Sequence, residues 1–392
     1  MSLEKIVNMI QQNRYFNATK TAVIKVAYIQ LALAAVIFVV YQFMLYGTIN
    51  PNIQQGLVLF YQVYCILIGV IFTYVTLEEL VEHHENHLIY SGVFISTILA
   101  LVFYANNIIM EYTVYSLLFS VLIYIGLHQF SKLKIEVKSF PLAVNDYLNR
   151  LIPTLLMFML VLILAYFGHR YVGYLAQGLI WLTYFISGPI FVLLTIIAIC
   201  SFWILGVHGV GVIGTILRPF WFYMMLVNAY LALQGQPAVY IGSETFFQWA
   251  VWLGGSGATF GLAFASKFLA KSQHLKSIGK DTFHSSIFNI NETVIFGTPI
   301  VGNKLFSIPF FLAPIIAAVI GYSAFAYGYV RTPAIVAPWV FPVPLGIFIS
   351  TLGDWRSIIL GLMLLASTLL VYYPFFYKYD QQLLEQEKEN EN

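Results

Sequence analysis

Ser286-Ile-Phe-Asn-Ile-Asn-Glu-Thr-Val-Ile-Phe-Gly-Thr-Pro-Ile-Val-Gly-Asn303 is apolar yet interrupted by Asn289, Asn291, Glu292, Gly297 and Pro299. An unbroken membrane helix does not carry these residues together, and a soluble loop is not this apolar. Broken helices at membrane depth are tolerated where they are buried in protein or line a wet cavity. Residues 283–302 therefore read as a re-entrant hairpin, the kind of element on which transporters build substrate sites. A carboxylate at that depth is costly, which makes Glu292 a functional candidate. It can accept a hydrogen bond from a substrate hydroxyl or take that hydroxyl's proton. The competing reading is a carboxylate that caps a broken helix end or pairs with a nearby lysine.

The rest of the chain supplies the membrane context. Of 392 residues, 60% are hydrophobic and 9% charged, and the mean hydropathy is +0.82. Soluble domains carry about 25% charged residues, so an all-α polytopic membrane protein is expected. The apolar stretches predict about ten spans, at 23–46, 56–75, 89–104, 114–127, 151–167, 189–205, 210–233, 247–269, 305–324 and 358–375. A second interrupted stretch, 335–352, carries Pro338, Pro342 and Pro344 and reads as a second re-entrant hairpin. With ten crossings and two hairpins, one side collects Lys5, Arg14, Lys20, Lys25, Lys132, Lys134, Lys138, Arg150, Lys267, Lys271, Lys276, Lys280, Lys304, Lys378 and Lys388, and the other Arg170, Arg331 and Arg356. That asymmetry places both termini in the cytoplasm. Met1 to Lys20 carries scattered charges without a small-residue cleavage site, so it does not read as a signal peptide.

The expected organisation is an N-terminal half, 1–131, holding spans one to four, and a polar, basic, amphipathic linker, 132–150. A transport half, 151–376, contains both hairpins, and a charged, frayed cytoplasmic tail covers 377–392. The linker and the basic stretch Lys267–Lys280 suit anionic lipid headgroups or an acidic partner.

Phe202-Trp-Ile-Leu-Gly-Val-His-Gly209 lies between two spans. Gly206 and Gly209 let the backbone turn and leave its N–H groups reachable. The imidazole of His208 can donate to or accept from a hydroxyl. Trp203, and Trp339 of the second hairpin, offer flat apolar faces for a ring to stack on. A lone histidine at a helix break is, by itself, also a structural residue. Gly254-Gly-Ser-Gly-Ala-Thr259 lacks the Lys-Ser/Thr ending of a phosphate-binding loop and reads as close helix packing. Asp354 and Arg356 read as a mutual pair, and Arg218 as paired with a polar neighbour. Cys65 and Cys200 sit in apolar stretches and read as buried thiols. His83, His84 and His87 read as a solvated loop, so no metal and no cofactor is expected, and no nucleic acid.

Several stretches together resemble the lactose/cellobiose/diacetylchitobiose family of phosphotransferase system enzyme IIC proteins. They are Phe288 to Val301, Trp203 with Gly206-Val-His-Gly209, Gly254 to Thr259, Ala337-Pro-Trp339, Gly353-Asp-Trp-Arg356 and Tyr373-Pro-Phe-Phe376, in matching order and spacing. Coverage is strong from Leu151 to Leu384. Thr293 stands where the family usually has proline. The resemblance implies ten spans, two re-entrant hairpins, a homodimer formed through the first half, and a central sugar site. It implies that Glu292 and His208 contact the sugar 6-hydroxyl that a separate phosphocysteine enzyme IIB phosphorylates. Trp203 and Trp339 would lie beside the rings, with Asn291, Asn289 and Gly209 completing the substrate contacts. A proton-coupled sugar transporter with Glu292 as proton carrier is the alternative, and a transport-deficient sugar-sensing homologue is a third.

Overall fold

The computed structural model describes residues 12–47, 49–82, 85–298, 300 and 303–391, and is all-α among them. Lys5, the His83-His84 pair, Pro299 and Gly302 lie outside the described residues, as do the side chains of Arg170 and Lys304. The chain divides into two units, Met1–Gln30 with Pro51–Leu182 and Leu31–Asn50 with Thr183–Asn392.

The first unit takes the start of α1 (Arg14–Leu45), α2 (Pro51–Leu80), α3 (His87–Ala105), α4 (Ile109–Phe130) and most of α5 (Leu142–Ser187). Small residues let these helices approach closely, as they do in membranes. A β-carbon at Gly69 would overlap the Tyr112 ring, and one at Gly92 would overlap Leu77. Hydroxyls bridge the same contact: Thr73 Oγ1 lies 2.7 Å from Ser96 Oγ, which lies 2.5 Å from Tyr112 Oη. Residues 135–137 of the expected linker are irregular and are tied back by side chains. Asn149 Oδ1 accepts from Ile135 N at 2.8 Å, and Asn145 Oδ1 from Val137 N at 3.0 Å. From Leu142 onward the linker is already α5.

α5 runs for 46 residues, about 69 Å at 1.5 Å per residue, where a bilayer with its headgroups is about 45 Å. The interval between the fifth and sixth expected spans is therefore helical too. Tyr171–Ser187 meets the next helix, α6 (Pro189–Ile204), at 67°. The bend has a local cause. Gly188 is extended at φ −69° and ψ 155°, the conformation a following proline imposes, and Pro189 opens α6 without needing a backbone donor.

The second unit continues through a π-helical turn (Val210–Gly214) into α7 (Thr215–Leu233), then α8 (Phe260–Phe268), α9 (Gln273–Ile287), α10 (Glu292–Gly297), α11 (Lys304–Ala326), α12 (Val343–Ser350) and α13 (Arg356–Glu391). Eight helices of the described residues are long and apolar enough to cross a membrane, or nine if the bent pair is one span. Of the remaining expected spans, 189–205 is the 16-residue α6. The other, 247–269, is not one helix. A π-helical turn (Phe247–Val251) gives way to an irregular loop before α8 begins. Gly254, Gly255, Gly257 and Ala258 have φ of +74°, +105°, +79° and +53°, which no α-helix accommodates.

Both interrupted stretches are hairpins. In the first, α9 and α10 flank a turn at 288–291, with Ile278 beside Gly297 across the legs. In the second, an extended leg returns as α12, and Ala334 N donates to Ser350 O at 2.8 Å. Asn228, fully buried in α7, holds the start of that leg. Its Nδ2 donates to Tyr240 O at 2.8 Å and Pro333 O at 2.9 Å, and its Oδ1 accepts from Val239 N and Tyr240 N. The charged C-terminal stretch is the end of α13, and Asp380 within it is buried. The expected frayed tail is thus an ordered helix, held by long-range contacts that local composition does not announce.

Candidate functional site

Asn289 forms the corner of the first hairpin at φ +62°, a left-handed conformation that asparagine tolerates better than most residues. Its side chain reaches two other segments. Oδ1 accepts from Gly254 N at 3.2 Å, and Nδ2 donates to Trp339 O at 3.2 Å and Phe341 O at 3.1 Å. The glycine loop and both hairpin turns meet at this one amide.

Asn291 is buried, and its Nδ2 donates to Ser256 O at 2.7 Å and Thr259 Oγ1 at 2.8 Å. A β-carbon at Gly255 would overlap this amide, and one at Gly257 would overlap the Phe310 ring. The glycines thus serve close packing around Asn291, but from an irregular loop and not from the helix expected there. Tyr372 Oη closes the loop from α13 by donating to Gly257 O at 2.7 Å.

Glu292 is the first residue of α10. Its carboxylate sits at a helix N-terminus, where negative charge is favoured. The side chain is exposed and makes no hydrogen bond or ion pair among the described residues. The pairing with a lysine is therefore not found. Exposed apolar side chains occur on the same two hairpins: Phe288, Ile290, Phe296 and Trp339, the last 56% exposed.

His208, Gly209 and Trp203 form a second group. His208 is exposed, and its Nδ1 accepts from Gly211 N at 2.9 Å. With Nδ1 taken as the acceptor, Nε2 is the ring nitrogen left to face a ligand. Trp203 is buried, its ring 4.5 Å from the His208 ring at 50°, and its Nε1 has no hydrogen-bond partner among the described residues. Gly209 is buried where a β-carbon would overlap the carbonyl oxygen of Ile199. No hydrogen bond or ring contact among the described residues joins this group to the Asn289–Glu292 group.

Three polar anchors were not singled out as such in the sequence: Asn228, Glu244, which pairs with Arg218 at 3.2 Å, and Asp380. Their partners lie far along the chain, so spacing carries no signal of them. Asp354 and Arg356 do pair, at 2.8 Å.

The fold and these broken helices define a multi-pass α-helical membrane protein whose polar groups converge on two hairpin turns. The family model described as "Phosphotransferase system, EIIC" matches residues 131–314. Among relatives, the lichenan permease IIC component of Bacillus subtilis (strain 168) is 34% identical over 190 residues, 48% of this chain and 42% of that protein. The PTS system cellobiose-specific EIIC component of Geobacillus stearothermophilus is 35% identical over 207 residues, 52% of this chain and 46% of that protein. The matched region thus spans less than half the length of these relatives. The crystal structure of ChbC, the IIC component from the N,N'-diacetylchitobiose-specific phosphotransferase system, superposes with a TM-score of 0.80 at 22% identity, covering 98% of both chains. The family match over 131–314 bears out the resemblance for the motifs at 203–209, 254–259 and 288–301, while those at 337–339, 353–356 and 373–376 lie beyond it; the fold is shared along nearly the whole chain.

Proposed function

We propose that this chain is the sugar-translocating and sugar-binding component, enzyme IIC, of a phosphoenolpyruvate-dependent phosphotransferase system. It imports a disaccharide of the cellobiose, diacetylchitobiose or lactose type, which is phosphorylated at its 6-hydroxyl by a separate phosphocysteine enzyme IIB. The observation that carries the proposal is the exposed, unpartnered Glu292 beside two asparagines whose amides are both engaged in holding the turn.

In the reaction, the sugar O6 attacks the phosphorus of the enzyme IIB cysteine phosphate. The O–P bond forms as the S–P bond breaks, the cysteine leaves as thiolate, and the hydroxyl proton passes to the Glu292 carboxylate. The base thus acts on the attacking hydroxyl. His208 offers Nε2–H to a sugar oxygen, because its Nδ1 is engaged by Gly211 N. Trp203 backs the imidazole, and the open face of Trp339 stacks on a sugar ring. Asn289, Asn291 and Gly209 act by shaping the turns. Cys65 and Cys200 are both buried, which suits a phosphoryl donor that comes from a partner.

The chain resides in a bacterial plasma membrane, with its termini in the cytoplasm by the distribution of basic residues. It works as a homodimer through its first half, 1–131, with 151–376 as the transport half. Substrate crosses by alternating access.

The test is phosphorylation of radiolabelled cellobiose, diacetylchitobiose and lactose by membranes containing this chain, supplied with phosphoenolpyruvate and the soluble phosphotransferase components. Donor-dependent sugar phosphate is expected, and Glu292→Gln should abolish it. Uptake driven by an acid pulse without any phosphoryl donor would replace this function with proton-coupled transport.

A further inference from the structure

The helix that leads into the sugar site is capped from a distant part of the chain. The first turn of an α-helix exposes backbone N–H groups with no intrahelical partner, and a local serine usually accepts from them. Ser272 occupies that place before α9, but its side chain makes no cap. Instead its hydroxyl donates to Asp380 Oδ1 at 2.7 Å. Asp380 also accepts from Ser272 N at 2.9 Å through Oδ1 and from Lys271 N at 2.9 Å through Oδ2. Two turns further along α13, Glu387 Oε1 accepts from Gln273 N at 2.8 Å and His274 N at 3.3 Å. Four consecutive N–H groups, those of Lys271 and Ser272 just before α9 and of its first two residues, are thus held by two carboxylates of α13. Residues 380 and 387 are seven apart and share a helix face.

α9 also packs on α8, with Gly279 against the Ser266 and Lys267 backbone and Phe283 against Phe260, Phe264 and Phe268, but few large apolar side chains anchor its first turns. Its buried residues are Leu275, Gly279, Thr282 and Ser286, only one of them a large apolar side chain. A 15-residue helix is marginal without tertiary support. At its other end α9 runs into Asn289, Asn291 and Glu292, where the amides tie the turn to the glycine loop. The hairpin is therefore a strut hydrogen-bonded at both ends, its first leg packed along α8 and its N-terminal N–H groups held by α13.

We propose that Asp380 and Glu387 are positioning residues that clamp α9 and thereby hold the first hairpin, with Glu292, in its working register. The consequence for phosphorylation rests on the sugar-site function proposed above; the clamp itself does not.

The experiment places nitroxide labels at Phe296→Cys and Tyr329→Cys, both 70% exposed, with the buried Cys65 and Cys200 left in place. Inter-label distances are measured by pulsed electron–electron resonance in detergent. Glu387→Ala and Asp380→Ala should broaden the distance distribution, while Glu387→Gln, which keeps an acceptor oxygen, and the nearby Glu385→Gln should leave it narrow. In the phosphorylation assay, kcat should fall about tenfold in Glu387→Ala, the scale of a displaced catalytic group, with the sugar KM changed less than threefold. Narrow distributions in Glu387→Ala overturn the clamp, even if Asp380→Ala fails to fold. A broadened distribution in a protein whose parent forms no sugar phosphate upholds the clamp and removes the sugar function.

Discussion

Asn289 Nδ2 donates to the backbone carbonyl of Trp339 at 3.2 Å, across a separation of 50 residues. This bond joins the turn of the first hairpin to the turn of the second, so an aromatic face and a carboxylate carried on different broken helices share one rigid corner. The same amide accepts from Gly254 N, which makes the corner three-stranded.

Replacing Asn289 by glycine separates the amide from the backbone, because glycine adopts φ +62° without strain. Three hydrogen bonds are lost, each contributing about 1 kcal/mol. Calorimetric titration of disaccharide into Asn289→Gly is expected to give at least tenfold weaker binding. Unchanged affinity would mean the hairpins keep their register without the amide.

Gly209→Ala distinguishes a packing residue from a substrate contact. The added methyl meets the Ile199 carbonyl oxygen, and overpacking of this kind costs about 1–3 kcal/mol. Thermal melting in detergent should fall together with sugar affinity. Glu292→Gln, altering an exposed side chain, should leave melting where it is while phosphorylation disappears. A Gly209→Ala protein that melts normally yet no longer binds sugar would make Gly209 a direct contact.

Asp354 links stability to pH. Burial raises its carboxyl, but hydrogen bonds from the Arg356 guanidinium and from Arg331 N and Arg356 N, with the Arg356 charge, outweigh that and hold it below its ordinary value. The folded-state pKa is depressed, so the stabilisation is fully present above the unfolded value, about 3.9, and is lost as pH falls through the folded value. Melting temperature measured on acidification below about pH 4 should drop more steeply in the parent than in Asp354→Asn. Parallel curves would remove Asp354 from the acid sensitivity.

Local pattern carried far into this fold. Runs of apolar residues announced the long helices because a lipid-crossing segment must satisfy its backbone internally and be apolar along its length. Pro338, Pro342, Pro344 and the Asn289–Glu292 cluster announced both hairpins for the same reason read in reverse. One span was misjudged where the signal is weaker than its interpretation: 247–269 is broken at glycines that in another context would remain helical, while the fifth span stands and its helix, α5, continues past it through Gly168 and Gly173.

The sequence by itself determined the membrane class, the two interruptions and the residues eligible for chemistry, since each follows from the transfer cost of a side chain at a known depth. Tertiary structure decided what each eligible residue does. Asn289 and Asn291 point their amides at Gly254, Trp339, Ser256 and Thr259, Trp203 is buried against His208, and Glu292 is left without a partner among the described residues. Polar side chains are interchangeable in a hydropathy pattern. They differ only once the chain has brought a donor or an acceptor from tens of residues away to within about 3 Å, and that meeting is a property of the fold.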